Sequence, residues 1–124
     1  MDKAQALYSF WSQFGIPAYE AGTVPVNAAM PYITYSVQTG DLDVLLTINA
    51  NLWYRSKSWA GIMEKVDEIA QTVGENGYWI GAVDNGYLRV MPHASTPFAQ
   101  TMTEDDNMIR RVYLTLNAEF LTTY

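Results

Sequence analysis

The chain has 124 residues, of which 49% are hydrophobic and only 16% charged, with a formal net charge of −6 and no cysteine. Its length suits one domain over 1–124 with a single core, and so apolar a composition excludes a disordered chain. The acidic balance excludes nucleic-acid binding by counterion release, and the lack of cysteine excludes a disulfide framework, a thiolate metal site and a cysteine nucleophile.

From Asp2 to Phe14 the apolar positions Leu7, Phe10, Trp11 and Phe14 recur at helical spacing, and Gly15, Ile16 and Pro17 supply a stop. The acidic and amide groups among them break the continuous apolar run that a signal peptide needs, and no segment reaches bilayer-spanning length. A soluble protein without a membrane partner is expected. Residues 18–30 mix Gly22, Pro25 and Asn27 with small side chains and show no period, so they read as an extended surface connection.

Pro31 opens a strand to Gln38 in which Ile33, Tyr35 and Val37 alternate with Tyr32, Thr34 and Ser36. A turn is expected at Thr39, Gly40 and Asp41. A long strand from Val44 to Tyr54 then sets Val44, Leu46, Ile48, Ala50, Leu52 and Tyr54 against Leu45, Thr47, Asn49, Asn51 and Trp53, as the antiparallel partner of the first.

Ser56 or Ser58 is placed to cap a second helix whose stripe is Trp59, Ile62, Met63, Val66, Ile69, Ala70 and Val73, with Gly74 as its left-handed terminator. Runs 78–83 and 87–91 flank Asp84, Asn85 and Gly86, a tight-hairpin composition. Residues 92–107 read as a long loop holding the acidic cluster Glu104, Asp105 and Asp106. The alternation from Ile109 to Leu121 predicts a last strand at the centre of the sheet. The expected fold is α+β: an antiparallel sheet of about five strands, two amphipathic helices on one face, and a long loop before the last strand. The other face, rich in Tyr, Trp, Thr and Asn, suits water and a partner.

Chemistry-bearing patterns are sparse. His93, the single histidine, reads as a surface loop residue. The 104–106 acids lack the spaced ligands and internal glycine of a calcium loop. No serine lies in a nucleophile elbow and no glycines cluster into a phosphate loop. Arg55, Lys57 and Lys65 beside Trp53, Tyr54 and Trp59 fit a packing corner or subunit contact better than a nucleic-acid platform, because acids outnumber them. A structural protein without catalytic residues, metal or cofactor is expected. Four Trp and nine Tyr exceed what one small core hides, and subunit contacts are the simplest cover.

Several segments together resemble the tail terminator proteins of long-tailed, siphovirus-like bacteriophages. They are Leu7-Tyr8-Ser9-Phe10-Trp11, Met30-Pro31-Tyr32-Ile33-Thr34-Tyr35, Leu52-Trp53-Tyr54-Arg55-Ser56 with Trp59, Pro97-Phe98-Ala99-Gln100, Met108-Ile109-Arg110-Arg111-Val112-Tyr113-Leu114, and Glu119-Phe120-Leu121. The resemblance implies a ring, expected to be a hexamer, that binds the tail tube protein, stops its polymerisation and joins the tail to the head connector or stopper, in the virion and, during assembly, in the host cytoplasm. DNA would pass through its channel without specific binding, repelled by acids such as those of the 104–106 tip. The expected interface residues are Trp53, Arg55, Trp59, Phe98, Gln100, Glu104, Asp105, Asp106 and Arg110. The alternatives are a head completion or stopper protein, a small ligand-binding domain or enzyme using a pocket under the long loop, and a module pairing through a sheet edge.

Overall fold

The computed structural model describes residues 2–37, 45–93 and 95–122. The expected turn at 39–41, and Gln38 and Val44 of the flanking strands, lie outside them.

The first helix, α1 (Lys3–Trp11), starts where Asp2 closes a capping box: its carboxylate accepts from Gln5 N at 2.8 Å, and its own N–H donates to Gln5 Oε1 at 2.9 Å. A 3-10 turn over Ser12–Phe14 continues it, and Gly15 ends the run at φ 79°. Ala6, Leu7, Phe10, Trp11 and Phe14 are buried, with Phe10 meeting Trp11 edge-on at 4.8 Å.

The segment read as an extended surface connection contains a strand. β1 (Ala18–Glu20) pairs in parallel with β2 (Tyr32–Tyr35), Tyr19 opposite Thr34. β3 (Leu45–Arg55) runs antiparallel to β2, with Ile33 opposite Leu52. The N-cap of the second helix, α2 (Ala60–Gly74), is Trp59 rather than either expected serine; just before it, Ser58 Oγ accepts from Ala60 N at 3.1 Å and Ser56 Oγ accepts from Ser58 N at 3.0 Å. Gly74 is not the left-handed terminator. It remains helical, Glu75 follows in the right-handed region, and Gly77 takes the positive φ of 85° three residues later.

β4 (Trp79–Val83) and β5 (Gly86–Pro92) form the expected hairpin, and Asn85 supplies its positive φ of 64°. The presumed long loop also holds a strand, β6 (Ala99–Met102), which pairs with the last strand, β7 (Ile109–Thr122). Among the described residues the sheet is therefore mixed and seven-stranded rather than antiparallel and of about five strands, in the order β1-β2-β3-β7-β5-β4, with β6 paired to β7 off this path. β7 is central, as its alternation predicts. β3 lines one side of it along 11 register pairs, while β6 and β5 share the other, at residues 111–114 and 116–122.

One sheet face meets both helices. Ile48, Ala50, Leu52, Leu88, Val90 and the even positions Val112 to Phe120 of β7 pack with the stripes of α1 and α2 into one cluster. Ile62, Val66, Ile69 and Val73 anchor α2 there, whereas Met63 and Ala70 of the expected stripe are exposed. Burying side chains of this size contributes about 1.5–3 kcal/mol each, so apolar patterning outweighs propensity in holding the helix. On the opposite face Thr115 and Asn117 are buried as well, contrary to a fully solvated surface, because the central strand is flanked on both sides.

Candidate interaction surfaces

The antiparallel register of β3 and β7 places Arg55 opposite Ile109, Tyr54 opposite Arg110 and Trp53 opposite Arg111. Residues far apart in sequence thereby converge on one corner. Since side chains alternate along a strand, Arg110 and Arg111 leave β7 on opposite faces.

On the helix-bearing side the Arg110 guanidinium lies 5.2 Å from the Trp59 ring centroid, in cation–π range. It also donates to the carbonyl of Lys57 at 2.7 Å and to that of Asn107 at 3.2 Å, tying the entry to α2 to the start of β7. On the open side Arg111 sits 5.2 Å from the Trp53 ring, donates to Asn51 Oδ1 at 3.0 Å and pairs with Glu104. Trp53 Nε1 donates to Thr34 Oγ1 at 2.9 Å, carrying the network across to β2. Asp106 Oδ1 accepts from Met108 N at 2.8 Å, and Arg55 approaches the same carboxylate at 3.7 Å, the last contact exposed and weak.

Six of the nine expected interface residues, Trp53, Arg55, Trp59, Glu104, Asp106 and Arg110, thus meet at this corner. Asp105 lies exposed between its two paired neighbours. Gln100 stands away on β6, opposite Tyr113. Phe98 faces inward: it packs against the core and borders a cleft with Ala70, Val73, Pro92 and Leu116. Of the three acids of the 104–106 tip, Glu104 pairs with Arg111 and Asp106 approaches Arg55, while Asp105 is exposed.

The sequence reading missed Arg111 as the hub of the corner, although Arg111 and Trp53 both occupy the open-face parity of their strands. It also missed an apolar tract beyond it. Leu45, Tyr78, Ile80 and Tyr87 are each about half exposed. Register places Leu45 opposite Glu119, Glu119 opposite Arg89, Arg89 opposite Ile80, and Tyr87 opposite Ala82, so they share the open face. Arg89 pairs with Glu119 and lies 5.8 Å from the Tyr78 ring, leaving a surface of aromatic and aliphatic groups around one neutralised ion pair.

Elsewhere the polar groups serve the fold. His93 Nδ1 accepts from Ser95 N at 3.3 Å and Thr96 N at 3.2 Å, which shapes the loop. Among the described residues no group of three or more His, Asp or Glu is arranged to hold a metal. No helix is long and apolar enough to cross a membrane. Burial raises the hydroxyl pKa of Tyr35, with smaller contributions from Glu20 and Tyr8. Burial, then Glu68 and Glu64, does the same for Tyr54.

No protein-family model and no curated protein sequence matches the chain. Among solved structures it is similar to a chain of the virion of a native gene transfer agent particle, with a TM-score of 0.58 and 11% identity, over 94% of this chain and 92% of that one. The two share a fold from end to end.

Proposed function

We propose that this chain is a structural component of a phage-like virion, and specifically a tail terminator. It assembles as a ring, a hexamer in this reading, on the last ring of tail tube protein, stops polymerisation there and presents its far side to the head connector. The observation that carries the proposal is the end-to-end likeness to a virion chain: both chains are almost wholly covered, so the likeness concerns the complete domain. The distribution of side chains supports it. The arginines of the corner and of the open face are engaged by carboxylates, carbonyls and aromatic rings, and the open face carries the exposed tract of Leu45, Tyr78, Ile80 and Tyr87, a composition suited to protein contacts. The reading is therefore non-enzymatic and needs neither metal nor cofactor.

The test is genetic. Particles produced without this chain should carry tail tubes of unregulated length that fail to join heads, and supplying the chain should restore a single length. Tubes of normal length with unfilled heads would place the protein on the head side of the joint instead, as a stopper.

A further inference from the structure

The two ends of the sheet differ in a way that suggests a contact between copies. Among the described residues β1 and β4 are the terminal strands, each with one neighbour. Beside β1, residues 21–31 form a loop without a single charged side chain. Two turns shape it: Thr23 N donates to Glu20 O at 3.0 Å and Ala28 N donates to Pro25 O at 3.0 Å. Val26 occupies the second position of the latter turn and is 107% exposed, as bare as in an isolated residue, so it touches nothing in its own fold.

Beside β4, at the other end of the sheet, α1 runs alongside the edge strand and leaves a cleft. Its centre, of about 130 Å³, is lined by Ala6, Ser9, Trp79, Gly81 and Ala82. Towards the N-terminus of α1 and the β4–β5 turn there is a second depression of about 500 Å³, lined by Asp2, Lys3, Ala4, Val83, Asp84 and Asn85. The cleft walls are small side chains and one indole. Trp79 is held 5.1 Å from Phe10 and lies over Gly81, so closely that a Cβ at Gly81 would stand 2.5 Å from its ring. The tight hairpin pairs Val83 with Gly86, and this register turns the backbone N–H and C=O of Ile80 and Ala82 away from β5. β4 itself carries no Lys or Pro, the residues that commonly blunt a free strand edge.

We infer that the Val26 loop of one copy seats in the α1/β4 cleft of the next. An uncharged loop of Ala, Gly, Thr, Val, Asn, Pro and Met, with Val26 and Asn27 at its tip, fits a cleft of small side chains, and the outward backbone groups of β4 offer it hydrogen bonds. Because knob and cleft lie at opposite ends of one sheet, the contact is heterologous and repeats head to tail, which closes into a ring when the rotation per copy allows. The inference rests on the ring of the proposed function and names the surfaces that build it.

The natural absence of cysteine makes a direct test available. A chain carrying both Val26→Cys and Ala82→Cys is assembled with tail tube protein and mildly oxidised. Disulfide-linked multimers up to the full ring are expected on a non-reducing gel. A mixture of the two single variants should give linked dimers only. In parallel, Val26→Asp should weaken ring formation by at least about tenfold, the size of effect of losing a buried interface anchor, with an unchanged melting temperature. Rings of the double variant, seen by particle mass, that yield no linked multimers overturn this contact and leave the terminator reading standing. Failure of the unmodified chain to form any ring on tubes removes both.

Discussion

Arg111 and Trp53 lie directly opposite one another across the β3/β7 seam, with the guanidinium 5.2 Å from the indole centroid. The same guanidinium reaches Asn51 and Glu104, so one side chain joins two strands and the segment leading out of β6. Arg111→Ala removes the stack, a hydrogen bond and an ion pair together, and should cost about 1–3 kcal/mol of stability. Arg111→Lys keeps the charge but not the planar fork, and should recover less than half of that. Urea unfolding reads both values, and an alanine variant within 0.5 kcal/mol of the parent would show the corner to be decorative.

Gly81 tests the packing of the β4 edge. In an ordinary strand Gly→Ala is favourable, since glycine weakens strand interiors. Here the added methyl meets Trp79, whose ring also packs against Phe10 at 5.1 Å. Gly81→Ala should therefore destabilise, by about 1–3 kcal/mol, and the penalty should vanish or reverse in a Trp79→Ala background. Equal penalties in both backgrounds would contradict the close approach of the ring.

The two perturbed tyrosines define an alkaline limit. Burial raises the folded-state pKa of Tyr35 and Tyr54 above the ordinary value of 10.0. Below pH 10 both are protonated whether folded or not, so their contribution is constant. Above it the unfolded chain releases protons that the folded chain retains, and stability falls until the folded-state values are passed. Thermal melts between pH 8 and 11.5 should be flat up to about pH 10 and then decline, and Tyr35→Phe should shallow the decline. A decline of unchanged slope in that variant would place the cause elsewhere.

What the sequence made legible were the features with a strong period. The stripe of α2 and the alternation of β7 extend over enough residues for burial to impose 3.6- and 2-residue rhythms; both elements stand where those rhythms put them, although the buried stripe of α2 is narrower than expected, with Met63 and Ala70 left exposed. The composition Asp84-Asn85-Gly86 announced its hairpin because positive φ is chemically selective. β1 and β6 were invisible for the opposite reason. Ala18-Tyr19-Glu20 and Ala99-Gln100-Thr101-Met102 are too short to display a period, and each becomes a strand only because β2 or β7 is already there to accept its hydrogen bonds. Gly74 misled because a helix of this amphipathicity runs through one glycine, and the chain has a second, Gly77, that takes the left-handed turn. The corner was half legible. Trp53, Trp59 and the arginines stood out by type, but pairing Arg110 with Trp59 and Arg111 with Trp53 needs the β3/β7 register, which local pattern does not specify.

The central claim is that this chain ends a tail tube as a ring. Mixing the purified chain with its own tube protein, followed by electron microscopy and particle mass measurement, tests it most directly. The account predicts tubes of limited length bearing, at one end only, a ring whose mass corresponds to six copies of this 14.0 kDa chain. Unbounded bare tubes beside a free monomer would contradict it.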